Sequence, residues 1–191
     1  MTATRMEGFS DAVIAIVITI MVLELAVPEA AGWDGLREVI PGLLTYVLSF
    51  VFLGINWNNH HHLLYACDRM NGKILWANLH ILFWLSLVPF VTRWMRESDF
   101  AELPTAVYGG VLFLAAVAWL ILQKAILAEQ GRDSRLARAL ERDVKGKASP
   151  ALYFTAIPLA FVNPSVSIGI YVLVALLWFV PDRRIEMMER E

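Results

Sequence analysis

The amino-acid sequence predicts an all-α integral membrane protein with six transmembrane helices, and three observations carry that prediction. Of its 191 residues, 58% are hydrophobic and 18% charged, against roughly 45–50% and 25% in soluble domains. Mean hydropathy is +0.58. The apolar residues are gathered into long runs, with the charges collected between them. A run near twenty residues long crosses a hydrocarbon core as a helix, the form that satisfies every backbone polar group internally. The net charge of −2 says little, because charge in such a protein informs by position. Seven tryptophans suit the two interfacial belts.

The first span is expected at about 8–27. Its apolar run, beginning at Ala12, is preceded by the acids Glu7 and Asp11, and Leu25-Ala26-Val27-Pro28 is a poor cleavage site, so it reads as a retained helix and not as a signal peptide. Ser10 or Asp11 would serve as an N-cap, but capping leaves Arg5 and Phe9 unexplained. Ile16, Ile20, Leu23 and Val27 follow i, i+4, i+7, i+11 and form one stripe, with Thr19 at its edge. The other faces are equally apolar, so periodicity alone does not choose which face meets lipid, protein or a pore.

The second span, about 38–58, tolerates Pro41 in its first turn and is expected to be interrupted by Asn58-Asn59-His60-His61-His62. The third, about 74–95, carries Asn78, His80, Ser86 and Pro89, and the fourth covers about 105–123. A charged connector follows at about 124–148, in which Leu136, Leu140 and Val144 recur every four residues; a partly helical, solvated segment is expected. Ser149-Pro150 reads as an N-cap with proline at the first helical position of a short fifth span, about 150–162, for which a re-entrant pair of half-helices is the alternative. After the turn Asn163-Pro164-Ser165, a sixth span runs to about 180. The whole forms a single domain, 1–191, without internal repeats.

Six spans put both termini on one side of the membrane. That side would hold Arg5, Arg69, Lys73, Lys124, Arg132, Arg135, Arg138, Arg142, Lys145, Lys147, Arg183, Arg184 and Arg190, and the other only Arg37, Arg93 and Arg96. By the excess of basic residues both termini are expected in the cytoplasm, in an inner or plasma membrane.

The candidates for chemistry are few. Cys67 is the single cysteine, which rules out an intrachain disulfide and a CxxC site. Adjacent histidines on a helix point about 100° apart, whereas metal ligands share a face at i, i+3 or i+4. An interfacial hydrogen-bonding cluster therefore explains His60, His61 and His62 better than a metal or haem site. Asn78 and His80 should face protein or water. No Asp, Glu or Lys lies mid-membrane, against an ion-coupled carrier. Nothing in the spacing supports a triad of Ser10, Asp11 and a histidine. Gly109-Gly110 after Tyr108 is better explained by close helix packing than by a carbonyl filter.

Arg5-x-x-x-Phe9-Ser10-Asp11 resembles the RxxxFSD motif of the transmembrane protein 175 potassium-channel family. Tyr46-Val-Leu-Ser49-Phe50 with Trp57-x-x-His60-His61 is similar to that family's second helix, and Trp76-Ala-Asn78-Leu79 with Ser86-Leu-Val-Pro89-Phe90-x-Thr92 to its third. The resemblance covers about the first half of the chain. It implies a homotetramer of six-helix protomers whose first helix lines a pore. It places an apolar constriction on Ile16, Ile20 and Leu23, with Thr19 at the adjoining polar position. Arg5, Phe9, Ser10, Asp11, Trp57, His60, His61 and Asn78 become a structural network holding the pore helices in register. The function implied is a potassium-preferring cation channel, partnered by itself, the lipid bilayer and potassium ions, with no cofactor, metal or nucleic acid. The competing readings are a membrane-embedded enzyme using His60–His62 and a small carrier.

Overall fold

A computed structural model describes residues 3–65, 67, 70–131 and 144–179. The described helices are, in order, α1 (Ala3–Leu23), α2 (Trp33–Tyr65), α3 (Gly72–Ser86), α4 (Val88–Glu97), α5 (Glu102–Gln130), α6 (Val144–Leu159) and α7 (Pro164–Phe179). Four segments are long and apolar enough to cross a membrane: Ala3–Leu23, Trp33–Tyr65, Gly72–Glu97 and Glu102–Gln130. Pro164–Trp178 is a shorter apolar helix. Leu136 and Leu140, most of the connector, the charged tail, and the basic residues Arg69, Arg132, Arg135, Arg138, Arg142, Arg183, Arg184 and Arg190 lie outside the described residues.

Three local expectations need correction. The helix α2 runs through the asparagines and histidines to Tyr65 without interruption. His60 and His61 are engaged by side chains of other helices, Asn78 and Glu7, so tertiary partners meet their polarity in place of the helix backbone. Ser149 is not a cap, because α6 begins at Val144. Its hydroxyl donates back to the Lys145 carbonyl at 2.8 Å and accepts from Trp178 Nε1 of α7 at 2.8 Å. That tertiary bond supports the turn in which Pro150 lacks a donor. Nor is Ser10 a cap, since α1 is already helical from Ala3.

The break between α3 and α4 falls at Leu87, two residues before Pro89. Proline offers no N–H to the carbonyl four residues back and crowds it, which is why one span divides into two helices here.

The core lies where α5 packs against α3, α4, α6 and α7, and α1 packs against α2, α3 and α4. Leu53, Ile74, Leu85, Ala118, Leu122 and Ile126 are fully or almost fully buried within it. Gly109 is a close-packing position: a Cβ there would collide with the Tyr171 hydroxyl of α7, which donates to the Thr105 carbonyl at 3.1 Å. Deeper in the bundle, the Ser49 hydroxyl of α2 lies 2.8 Å from Thr92 Oγ1 and 3.0 Å from the Tyr108 hydroxyl. Thr92 in turn donates to the Val88 carbonyl at 2.7 Å. Buried hydroxyls thus close on one another across α2, α4 and α5, as polar groups away from water must.

Candidate functional site

Two faces of α1 have different surroundings. Met6, Ser10, Ile14, Val17 and Met21 are buried, spaced by four, four, three and four residues on the side that meets α2, α3 and α4. The residues read as the stripe point elsewhere. Ile16 is 57% exposed, Ile20 41% and Leu23 82%. Thr19 is also exposed and turns its hydroxyl back to the Ile16 carbonyl at 2.9 Å. Ile16 and Ile20 border a groove whose other wall is Pro89, Phe90 and Arg93 at the start of α4. Within its own protomer, then, α1 leaves this apolar stripe uncovered.

At the N-terminal end of α1 the side chains of the FSD segment are fastened to two other helices. Ser10, Asn78 and His60 are almost entirely buried and form one chain of bonds. The His60 Nε2 atom lies 2.6 Å from Asn78 Oδ1, Asn78 Nδ2 donates to Ser10 Oγ at 2.9 Å, and Ser10 donates to the Met6 carbonyl at 2.8 Å. Because the amide oxygen only accepts, this geometry puts a proton on His60 Nε2. Among the described residues nothing accepts from or donates to Nδ1 of that ring, which is buried; the neutral ring with its proton on Nε2 leaves only a lone pair unmatched.

A second set of contacts is a ladder. Trp57 Nε1 donates to Asp11 Oδ1 at 3.0 Å, and His61 Nδ1 lies 2.7 Å from Glu7 Oε1. The acids are four apart on α1 and their partners four apart on α2, in antiparallel register. Sequence reasoning named Asp11, Trp57 and His61 but missed Glu7 and Met6. The paired i, i+4 spacing of acids and of ring donors was the available signal. Phe9 is 49% exposed. Arg5 is exposed and makes no hydrogen bond or ion pair with the described residues of its own chain.

The histidines do not converge. His60 and His61 turn to different helices, the His61 ring meets that of His62 edge-on at 5.5 Å, and His80 accepts from Trp84 Nε1 at 2.9 Å. Among the described residues no group of three His, Cys, Asp or Glu side chains is placed to hold a metal.

At the other end of α1 is a charged cluster that sequence reasoning also missed. Arg93 donates from Nη1 to Glu24 Oε2 at 2.6 Å and from Nε to Glu97 Oε1 at 2.8 Å. Arg96 donates to the Glu24 carbonyl at 3.3 Å. Its stem lies over Gly42 of α2, where a Cβ would stand 2.7 Å from Arg96 Cδ. In the sequence reading Arg93 and Arg96 counted only as basic residues of the less basic side, and only the fold joins them to Glu24.

The comparisons with known proteins identify the family. The family model described as endosomal/lysosomal potassium channel TMEM175 matches residues 5–89. A protein of Chryseobacterium named a potassium channel is 48% identical over 191 residues, covering 100% of both chains. One of Streptomyces collinus, also named a potassium channel, is 31% identical over 185 residues, covering 90% of this chain and 89% of the relative. Among solved structures, the crystal structure of a TMEM175 homologue from Chamaesiphon minutus, described as a lysosomal potassium-selective channel, superposes with a TM-score of 0.80. It is 27% identical and covers 93% of this chain and 96% of that one. Similar in sequence along its full length and in fold over nearly all of it, the chain is a member of the TMEM175 family, a family of ion channels and not of enzymes.

Proposed function

We propose that this chain is the protomer of a homotetrameric, potassium-preferring cation channel whose pore is lined by α1. The relatives that match along most or all of their length are named potassium channels, and a channel of this kind needs no cofactor. Each protomer contributes six membrane spans, counting α3 and α4 as one and α6 and α7 as two. Both termini face the cytoplasm of a cell bounded by an inner or plasma membrane, in keeping with the excess of Arg and Lys on that side of the sequence. The observation that carries the reading is the uncovered stripe of α1: one protomer with a single apolar face cannot enclose a pathway, and a closed symmetric ring can.

Ile16, Ile20 and Leu23 form the constriction, with Thr19 beside it. Four isoleucines offer no oxygen to replace an ion's hydration shell, so the barrier is partial dehydration in a narrow, dry ring. Potassium gives up water more readily than sodium, and a modest potassium preference follows without a carbonyl filter. The network of Ser10, Asn78, His60, Asp11, Trp57 and His61 holds α1 at the angle that keeps the stripe on the axis, with Arg5 and Phe9 at its neighbours' side.

Ile16→Asn tests this in liposome flux or single-channel recording. An amide at the ring stands in for lost water, so conductance rises, about tenfold for each ~1.4 kcal/mol removed from the barrier, while preference for potassium over sodium falls. Val17→Asn, on the buried face, lowers expression and stability and leaves selectivity alone. Altered permeation in the Val17 variant with none in the Ile16 variant would overturn the assignment of the pore face.

A further inference from the structure

The charge pair at the C-terminal end of α1 lies on the pore stripe itself. Glu24 follows Ile16 and Ile20 at successive steps of four residues, and these three side chains line the same groove, with Arg93 on the facing wall. Glu24 is the first residue beyond α1 and stands next to Leu23, which is 82% exposed. A carboxylate in that place, repeated by symmetry, would surround one mouth of the pathway with negative potential. It is not left alone. Arg93 reaches it at 2.6 Å and is itself held by Glu97 at 2.8 Å, while Arg96 bonds the Glu24 carbonyl and lies 3.4 Å from Glu97. The two acids and two arginines sum to zero.

We propose that Arg93 is a conductance-setting residue: it neutralises Glu24 at the mouth of the pore and so keeps the local cation concentration near that of bulk solution. This rests on α1 lining the pore, and it adds a role for a charge pair that the constriction does not need. Electrostatics distinguishes this role from a merely structural one. Removing Arg93 leaves each cluster with a net charge of one negative unit; removing the Glu24 carboxylate leaves one positive unit; removing both restores neutrality. A ring of unmasked charges acts over the Debye length, about 30 Å at 0.01 M salt and about 3 Å at 1 M, and a cleft of one sign enriches counter-ions.

The test is single-channel conductance of the full-length channel in planar bilayers at about 0.01 M and about 1 M KCl. Arg93→Gln is expected to conduct about two- to ten-fold more than the unaltered channel at the lower concentration and no more at the higher. Glu24→Gln is expected to conduct less at the lower concentration only, and the double variant E24Q/R93Q to return to the unaltered value at both. Should Arg93→Gln fail to assemble, Glu24→Gln decides alone, since it leaves the Arg93–Glu97 bond in place. Equal conductance of the variants and the unaltered channel at low salt overturns the inference. If Ile16→Asn still alters permeation in that case, the pore assignment stands and only the role of the charge pair is lost. If Ile16→Asn is also silent, the pore assignment is what failed.

Discussion

The two ends of α1 are both tied to the rest of the protomer by polar side chains, yet they are built on opposite principles. At the N-terminal end the central chain of Ser10, Asn78 and His60 is buried to 1% exposure or less, and its donors each have one acceptor. At the C-terminal end the bonds run between charged groups that solvent reaches: the side chains of Arg93 and Glu24 are 51% and 31% exposed. Burial makes the first set expensive to break, because a donor that loses its acceptor regains no water. Solvent makes the second cheap to break, because water and salt screen what the partner leaves. The difference teaches that α1 has a buried anchor at one end and a solvated one at the other; under the proposed pore assignment the first would set assembly and the second the field at the mouth.

The largest effect expected from breaking this comparison is at Asn78. Asn78→Leu strands the His60 Nε2 donor and deprives Ser10 Oγ of its incoming bond, for a loss of about 2–3 kcal/mol. It should be read as a lower melting temperature in detergent and loss of the assembled oligomer on size exclusion. Ser10→Ala comes next. It removes the acceptor of Asn78 Nδ2 but creates no bulk, and a loss of about 1–2 kcal/mol is expected in the same assay. Trp57→Phe keeps an aromatic ring, though a smaller one, and deletes one partly solvated bond to Asp11; about 0.5–1 kcal/mol is expected, with assembly intact. The smallest change in stability is expected for Glu24→Gln and Arg93→Gln, whose melting temperatures should match that of the unaltered protein even as their low-salt conductance departs from it. If Arg93→Gln were to lower the melting temperature as much as Asn78→Leu, the contrast between a buried anchor and a solvated one would fail. If Asn78→Leu assembled normally, the N-terminal network would not be what holds α1.

Some of this was legible without coordinates because it depends only on what a residue can do in lipid. Apolar runs of span length and the need of Asn78 to face protein or water follow from the absence of water in the hydrocarbon region, whereas the division of the third span before Pro89 emerged only in the fold. The spacing of Ile16, Ile20 and Leu23 placed them on one face by helix geometry alone. The exception was Asn58–His62, which polarity marked as a break and which the fold makes part of the last turns of a continuous helix, with Asn78 and Glu7 accepting from its histidines.

The choice among faces belongs to the tertiary structure. Ile16 and Val17 are adjacent and chemically alike, yet Ile16 is 57% exposed and Val17 5%, a difference that arises because α2, α3 and α4 all pack on one side of α1. Likewise Glu24 and Arg93 are 69 residues apart, and no local rule pairs them; the break at Leu87 turns α4 so that Arg93 meets the end of α1. The sequence by itself determined that the chain is a bundle of membrane helices with an ordered polar entrance to the first, since periodicity and the insolubility of a bare backbone in lipid are local physics. Which side of that helix is sealed and which is left open was decided only by packing, because an all-apolar helix carries no internal record of where its neighbours stand.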